Sequence, residues 1–297
     1  MSPQPESRRG LIHGTTAYVL WGLLPLYFHL ISEVDSGEIV AQRVLWSVGL
    51  LLLLVTVLRR LGSLRQAMRT PRVLAMLTAS ALLIAANWLI YVWAVLHHQV
   101  LATSMAYFLN PLLNIAMGVA LLRERLTRPQ GAAVLLAGAG VAVMALGASG
   151  SLWISLSLAF SFALYGLIRK FAPVAAFEGL TIETLLLAPM ALGYLVWLSG
   201  HGGTSFGRGG EVTALLVLSG ALTTAPLLLF AVAARELRMA TLGLLQFIAP
   251  SLQFVLAITL FGERLEALRL ASFGLIWAGL AVYLGSTMLD RSKRESV

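Results

Sequence analysis

A chain of 297 residues that is 59% hydrophobic and 11% charged has too little charge to cover a soluble surface, where charged residues average about 25%. The absence of cysteine excludes a disulfide framework and a thiolate metal site. The formal charge of +8 does not indicate a nucleic-acid partner, because the basic residues lie in short segments between long apolar runs.

Taken in chain order, the apolar runs predict ten membrane spans: Leu11–Ile31, Ile39–Leu58, Val73–Leu96, Val100–Leu122, Pro129–Gly147, Leu152–Lys170, Gly179–Ser199, Val212–Ala234, Met239–Phe261 and Ala267–Leu289. Each is close to the roughly 20 residues that cross a bilayer as a helix. The first follows Arg8 and Arg9 and is read as a retained helix rather than a cleaved signal. The connecting segments are short, and the glycine-rich stretch Gly200–Gly210 reads as the most flexible of them.

The basic residues set an orientation. One side collects Arg8 and Arg9, the group from Arg59 to Arg72, Arg123 to Arg128, Arg169 and Lys170, Arg235 and Arg238, and the basic C-terminus. The other side keeps Arg208, Arg264 and Arg269, together with the acids Glu33, Asp35 and Glu38. Short cytoplasmic loops carry the arginine excess, so both termini are expected in the cytoplasm.

An internal repeat organises the spans. Tyr107-Phe-Leu-Asn-Pro111, an apolar run and Glu124-Arg125-Leu126 recur as Gln246-Phe-Ile-Ala-Pro250, an apolar run and Glu263-Arg264-Leu265 at one constant offset. The repeat divides the chain into five-span halves at 1–148 and 149–297. An odd number of spans per half inverts the second relative to the first. That arrangement is typical of transporters whose solute site faces each side in turn.

Few polar residues interrupt the spans. Away from span ends the ionisable residues reduce to Arg43 and Glu183. A charge at the bilayer centre costs about 2.5–3.5 kcal/mol on insertion scales, so each is expected to face a cavity or a partner. Arg43 can hold a substrate carboxylate, or can snorkel or answer Glu38. Glu183 is the proton-coupling candidate, since a carboxyl withdrawn from water can trade a proton with one side. Its structural alternative is a bond to a helix terminus, Arg169 or Lys170. The two are expected to lie too far apart along the membrane normal to pair directly.

Pro111 and Pro250 sit mid-span, where proline removes a ladder hydrogen bond and supplies a hinge or a cavity-facing carbonyl. Asn110 and Asn114, beside Pro111, can cap the broken ladder or reach solute, Gln246 matches Tyr107 by position, and Asn87 is read as a solute contact or an interhelical hydrogen bond. Tyr18, Trp21, Tyr91, Trp93, Tyr107 and Tyr165 offer flat faces for an amphipathic solute, or simple packing. Arg43, Asn87, Asn110 and Gln246 with Tyr18, Trp21, Tyr91, Tyr107 and Tyr165 form the expected solute-binding set.

Other signals are discounted. Gly138-Ala-Gly140 lies inside a span and follows no strand, so it is no dinucleotide loop. Gly131, Gly138, Gly147, Gly274 and Gly279 are expected to permit close helix packing. His97 and His98 lack further ligands at metal spacing, so no metal is assigned. Without a P-loop, transport would be gradient-driven or passive, and no cofactor is expected. One intramembrane acid is too little for an enzyme site.

Gln42-Arg-Val-Leu-Trp-Ser47, Asn87-Trp88, Trp93-Ala94-Val95, Tyr107-Phe-Leu-Asn-Pro111, Ser161 through Lys170, Ile182-Glu-Thr184, Gln246-Phe-Ile-Ala-Pro250 and Gly262-Glu263 together resemble the RarD branch of the EamA-type drug/metabolite transporter superfamily. The resemblance implies an all-α integral membrane protein of ten helices, built as two inverted five-helix repeats around a central cavity. It further implies a multi-pass inner-membrane carrier exporting small organic solutes by alternating access, as monomer or homodimer. Amino acids and related metabolites are the expected cargo, with drugs such as chloramphenicol as a further class and protons as the candidate coupling ion. The competing reading is a membrane sensor or assembly subunit that binds a small ligand without turnover.

Overall fold

The computed structural model describes residues 7–96, 100–145, 152–259, 270–272, 274–279, 281, 282 and 285. Its elements are all helices: α1 Arg8–Leu30, α2 Ser36–Val57, α3 Leu61–Arg69, α4 Pro71–Leu96, α5 Val100–Ala120, α6 Arg128–Ala145, α7 Leu152–Phe171, α8 Ala176–Gly200, α9 Gly210–Glu236, α10 Met239–Leu245 and α11 Ile248–Thr259. A further short apolar helix is Leu270–Gly279. A helix satisfies its own backbone donors and acceptors, which an apolar chain in lipid requires. Among the described residues six helices are long and apolar enough to cross a membrane: Arg8–Leu30, Ser36–Val57, Pro71–Tyr91, Trp153–Phe171, Ala176–Gly200 and Gly210–Glu236.

Local chemistry sets the helix ends. Ser7 caps α1 by accepting from Gly10 N–H at 3.2 Å, and Asp35 caps α2 by accepting from Glu38 N–H at 3.0 Å. The end of α2 is a Schellman turn: Arg60 N–H reaches Val55 O at 2.8 Å and Arg59 N–H reaches Thr56 O at 3.1 Å. Arg59 takes the left-handed position there, with φ 54°, where glycine is the usual occupant.

Two expectations about the elements need correction. The segment between the second and third expected spans is helical, as α3, because Leu64 and Ala67 fall on one face and bury against Val55, Val73, Leu77, Ala172 and Ile182. The ninth expected span, Met239–Phe261, is interrupted at Gln246 and Phe247, giving α10 and α11. Pro250 is the third residue of α11, in the first turn, where the missing N–H has no intrahelical partner to lose. Pro111 instead lies inside the continuous α5.

The chain forms two compact units, Met1–Trp93 with Ser161–Leu237 and Ala94–Phe160 with Arg238–Val297. In the first, α9 packs on α1 and α2, and α2 also packs on α8. α2 and α8 run antiparallel: Tyr194 donates to Asp35 at 2.9 Å beside the start of α2, and Ser63, just beyond its end, donates to Glu178 at 2.7 Å. The Gly200–Gly210 stretch belongs to this unit and is hydrogen-bonded to it at Ser205 and Phe206. Ser205 N–H donates to both oxygens of buried Glu38 at 2.9 Å and Phe206 N–H to one at 3.0 Å.

In the second unit, α5 packs on α10 and α6. Phe108, Ile115, Ala137, Leu244, Phe247 and Ile276 are among its buried core. A Cβ on Gly243 would lie 2.6 Å from Pro111 O, so α10 approaches α5 at a glycine. Of the expected packing glycines, Gly279 fills that role, its absent Cβ falling 2.6 Å from Ala133 O. Gly131, Gly138 and Gly274 face open space, because the close contact of α6 falls at Gly140, 2.7 Å from Ser272 O by the same measure. Gly147, His97, His98, Glu263 and Arg264 lie outside the described residues.

Candidate functional site

The first unit holds two polar centres. Glu183 projects from α8 one turn beyond Gly179 and is 2% exposed. Arg169, in the last turn of α7, is equally buried, and its Nη1 lies 3.5 Å from Glu183 Oε1. Ser80 of α4 donates to the same oxygen. Arg169 Nη2 donates to Ala176 O at 2.8 Å, holding the guanidinium against the start of α8. That position exists only because residue 179 is glycine, since a Cβ there would collide with Arg169 Nη1. Among the described residues, Glu183 Oε2 and Arg169 Nε and Nη1 have no partner at hydrogen-bond geometry. Tyr165, one turn before Arg169, lies within the electrostatic reach of both.

An aromatic cluster adjoins this pair. Tyr165 stacks on Phe230 at 6.0 Å between centroids, and Phe230 meets Trp21 at 5.7 Å and Phe162 at 5.5 Å. Tyr18 meets Trp21 at 5.4 Å, and its buried hydroxyl makes no hydrogen bond among the described residues. Three members of the expected solute set, Tyr18, Trp21 and Tyr165, thus belong to one packed aromatic group in which Tyr18 and Tyr165 are fully buried.

The second centre surrounds Arg43 on α2. Its Nε donates to Thr223 Oγ1 at 2.8 Å. The guanidinium lies 5.7 Å from the Phe28 ring centroid and 5.6 Å from that of Trp88. Such distances give cation–π contacts of about 0.5–2 kcal/mol. Tyr27 and Tyr91 lie within its electrostatic reach. On the same helix as Trp88, Asn87 Nδ2 donates to Ser161 Oγ at 2.9 Å. Arg43 and Asn87 are half-buried and Tyr91 is exposed.

The remaining expected site residues belong to the second unit. Asn114 Nδ2 donates to Gln246 Oε1 at 2.5 Å, joining α5 to the residue at the α10–α11 break. Asn110 is 7% exposed and its Oδ1 has no hydrogen-bond partner among the described residues. Tyr107 and Gln246 hold corresponding repeat positions yet differ in setting, Tyr107 being 42% exposed and Gln246 5%. Glu124 accepts from Met239 N–H at 2.9 Å and Ala240 N–H at 3.1 Å, capping the start of α10. Among the described residues no group of three or more His, Asp or Glu side chains is placed to hold a metal ion.

Of the two cations offered as structural partners of Glu183, Arg169 takes that place, while Lys170 donates to Leu237 O at 2.5 Å past the end of α9. One feature escaped the sequence reading. Glu178 is buried, accepting from Ser63 and meeting Arg60 at 3.3 Å.

Long apolar helices with isolated, partnered charges define a multi-pass membrane protein. The EamA-like transporter family matches residues 8–146. An uncharacterized transporter of Pseudomonas aeruginosa is 45% identical over 93% of both chains. Protein RarD of Escherichia coli is 42% identical over 94% of this chain and 95% of its own. A second P. aeruginosa relative, named chloramphenicol-sensitive protein RarD, is 33% identical over 94% of this chain and 93% of its own. A solved crystal structure aligns over 94% of this chain and 98% of its own with a TM-score of 0.74 at 18% identity, a likeness of fold. The chain belongs to the RarD branch of the EamA transporter family. It is a membrane transporter of the EamA type and not an enzyme.

Proposed function

We propose that this protein exports small amphipathic organic solutes across the inner membrane by alternating access, with both termini in the cytoplasm. The observation that carries the cargo class is the setting of Arg43. A guanidinium held by Thr223 and flanked by Phe28 and Trp88 suits a solute with a carboxylate and a flat or apolar body. Asn87 and Tyr91 add polar edges to that setting.

Two inverted repeats, 1–148 and 149–297, expose the solute to either side in turn. Support comes from how helices are shared: α1, α2 and α4 of the first half group with much of α7 and with α8 and α9 of the second, and these occupy equivalent places in the two halves. Pro111 in α5 and the break before Pro250 are the pivots. Proton coupling acts at Glu183: a proton there dissolves the ion pair with Arg169 and lets α7 and α8 move.

Counterflow and pH-gradient flux in proteoliposomes test the reading. The pools are amino acids, other small metabolites and chloramphenicol, read by mass spectrometry per folded protein. Saturable flux in wild type, lost in Arg43→Gln and uncoupled from the pH gradient but retained as exchange in Glu183→Gln, is the expected pattern. Flux of carboxylate-bearing solutes unaltered by Arg43→Gln would remove Arg43 from the site.

A further inference from the structure

We infer that α3 and the arginines bracketing it form a docking surface for anionic lipid headgroups. The helix joins two spans, Ser36–Val57 and Pro71–Tyr91, so it lies at a membrane surface whichever way the protein is oriented. It is anchored to the protein along one edge only: Leu64 and Ala67 are buried, and Ser63 and Arg60 bind Glu178 of α8. On the wheel of a helix with 3.6 residues per turn, Leu61 and Met68 follow Leu64 on the same side, and Arg65 and Arg69 come next. Leu61 and Met68 are 42% and 44% exposed, and Val57 and Leu58, at the end of α2, are also exposed.

Apolar side chains beside a row of arginines have the arrangement of an interfacial helix, with the apolar strip at the acyl boundary and the cations at headgroup level. Arg59, Arg65, Arg69 and Arg72 are all exposed, and the ion pairs of the described residues involve none of them. Glu178, the acid packed closest to the helix, is buried and engaged by Arg60 and Ser63. Arg59 takes a left-handed conformation that favours glycine, so the cation is kept there at a backbone cost. Clustered arginines next to a span attract anionic headgroups, and their guanidinium forks bind phosphate oxygens in pairs. The ligand chemistry is therefore a phosphodiester carried on a lipid, and the surface is independent of which solute is transported.

The cysteine-free chain permits a local test. A fluorophore on Gln66→Cys, an exposed position of α3, is read by energy transfer from headgroup-labelled phosphatidylglycerol or phosphatidylcholine in nanodiscs of equal mixture. The full-length protein is expected to enrich phosphatidylglycerol at this position. The triple variant Arg65→Gln, Arg69→Gln, Arg72→Gln is expected to reduce the enrichment on the order of tenfold. The Arg→Lys triple keeps the charge and retains most of the enrichment, which separates loss of binding from loss of folding. Equal transfer from both lipids in wild type would overturn the proposal. So would an equal loss on neutralising Arg8, Arg125 and Arg128 instead, since the effect would then be one of net charge. Displacement of the labelled lipid by soluble glycerol phosphate would reassign the surface to a free phosphate and overturn its lipid assignment.

Discussion

Arg169 and Glu183 each keep 2% of their side chains exposed, so removing either leaves an unmatched charge in a dry setting. Breaking such a pair costs about 3–5 kcal/mol, whereas replacing both partners by apolar groups is often close to neutral. Thermal unfolding in detergent should therefore show large losses for Arg169→Gln and for Glu183→Leu, and a double variant Arg169→Met, Glu183→Leu more stable than either. Gly179→Ala should behave like a weakened pair, because its methyl displaces the guanidinium. A double variant no more stable than the worse single change would remove the pair from the account. Glu183 was legible as an acid in an apolar run. Its partner was legible only as one of several alternatives, since an arginine one turn from a helix end reads equally well as a solvated loop cation, and the packing of α4 and α8 around it turns it inward. Arg59 offers a second test at this scale: Arg59→Gly relieves a left-handed backbone and should stabilise by about 1 kcal/mol, measured as a rise in unfolding temperature.

The two prolines differ at the scale of the element. Pro111 interrupts the ladder inside α5 and leaves the carbonyl of Tyr107 without its usual donor, whereas Pro250 occupies the first turn of α11. Pro111→Ala is expected to restore that hydrogen bond, raising thermal stability and slowing flux. Pro250→Ala should change stability by no more than about 0.5 kcal/mol, because no ladder bond is gained in the first turn. Equal effects of the two on stability would contradict this assignment of their settings. Hydrophobic periodicity made the span-length helices visible, since a run of apolar residues can satisfy its backbone in lipid in no other open form. It could not show the break before Ile248, because Gln246 and Phe247 sit in a run that is as apolar on either side. Nor could it show α3, whose nine residues are polar on most of their circumference and gain their order from Leu64 and Ala67 against the helices beside them.

For the whole molecule, the repeat landmarks at Tyr107 and Pro111 and at Gln246 and Pro250 were legible because they interrupt apolar runs at one offset. The way helices group in space was not, because it depends on contacts between segments far apart in the chain. Each compact unit draws on residues from both sides of position 148, so the packing does not follow the division expected there. Alternating access is the claim that joins the repeat, the proline positions and the setting of Arg43. Its most direct test is a single cysteine at Tyr91, exposed beside Arg43 in a chain with no cysteine of its own. A membrane-impermeant maleimide would be applied to intact cells and to inverted vesicles, with and without a transported solute. The account predicts labelling from each side, reduced on both by the solute. Labelling from one side alone, whatever the solute or pH, would contradict it.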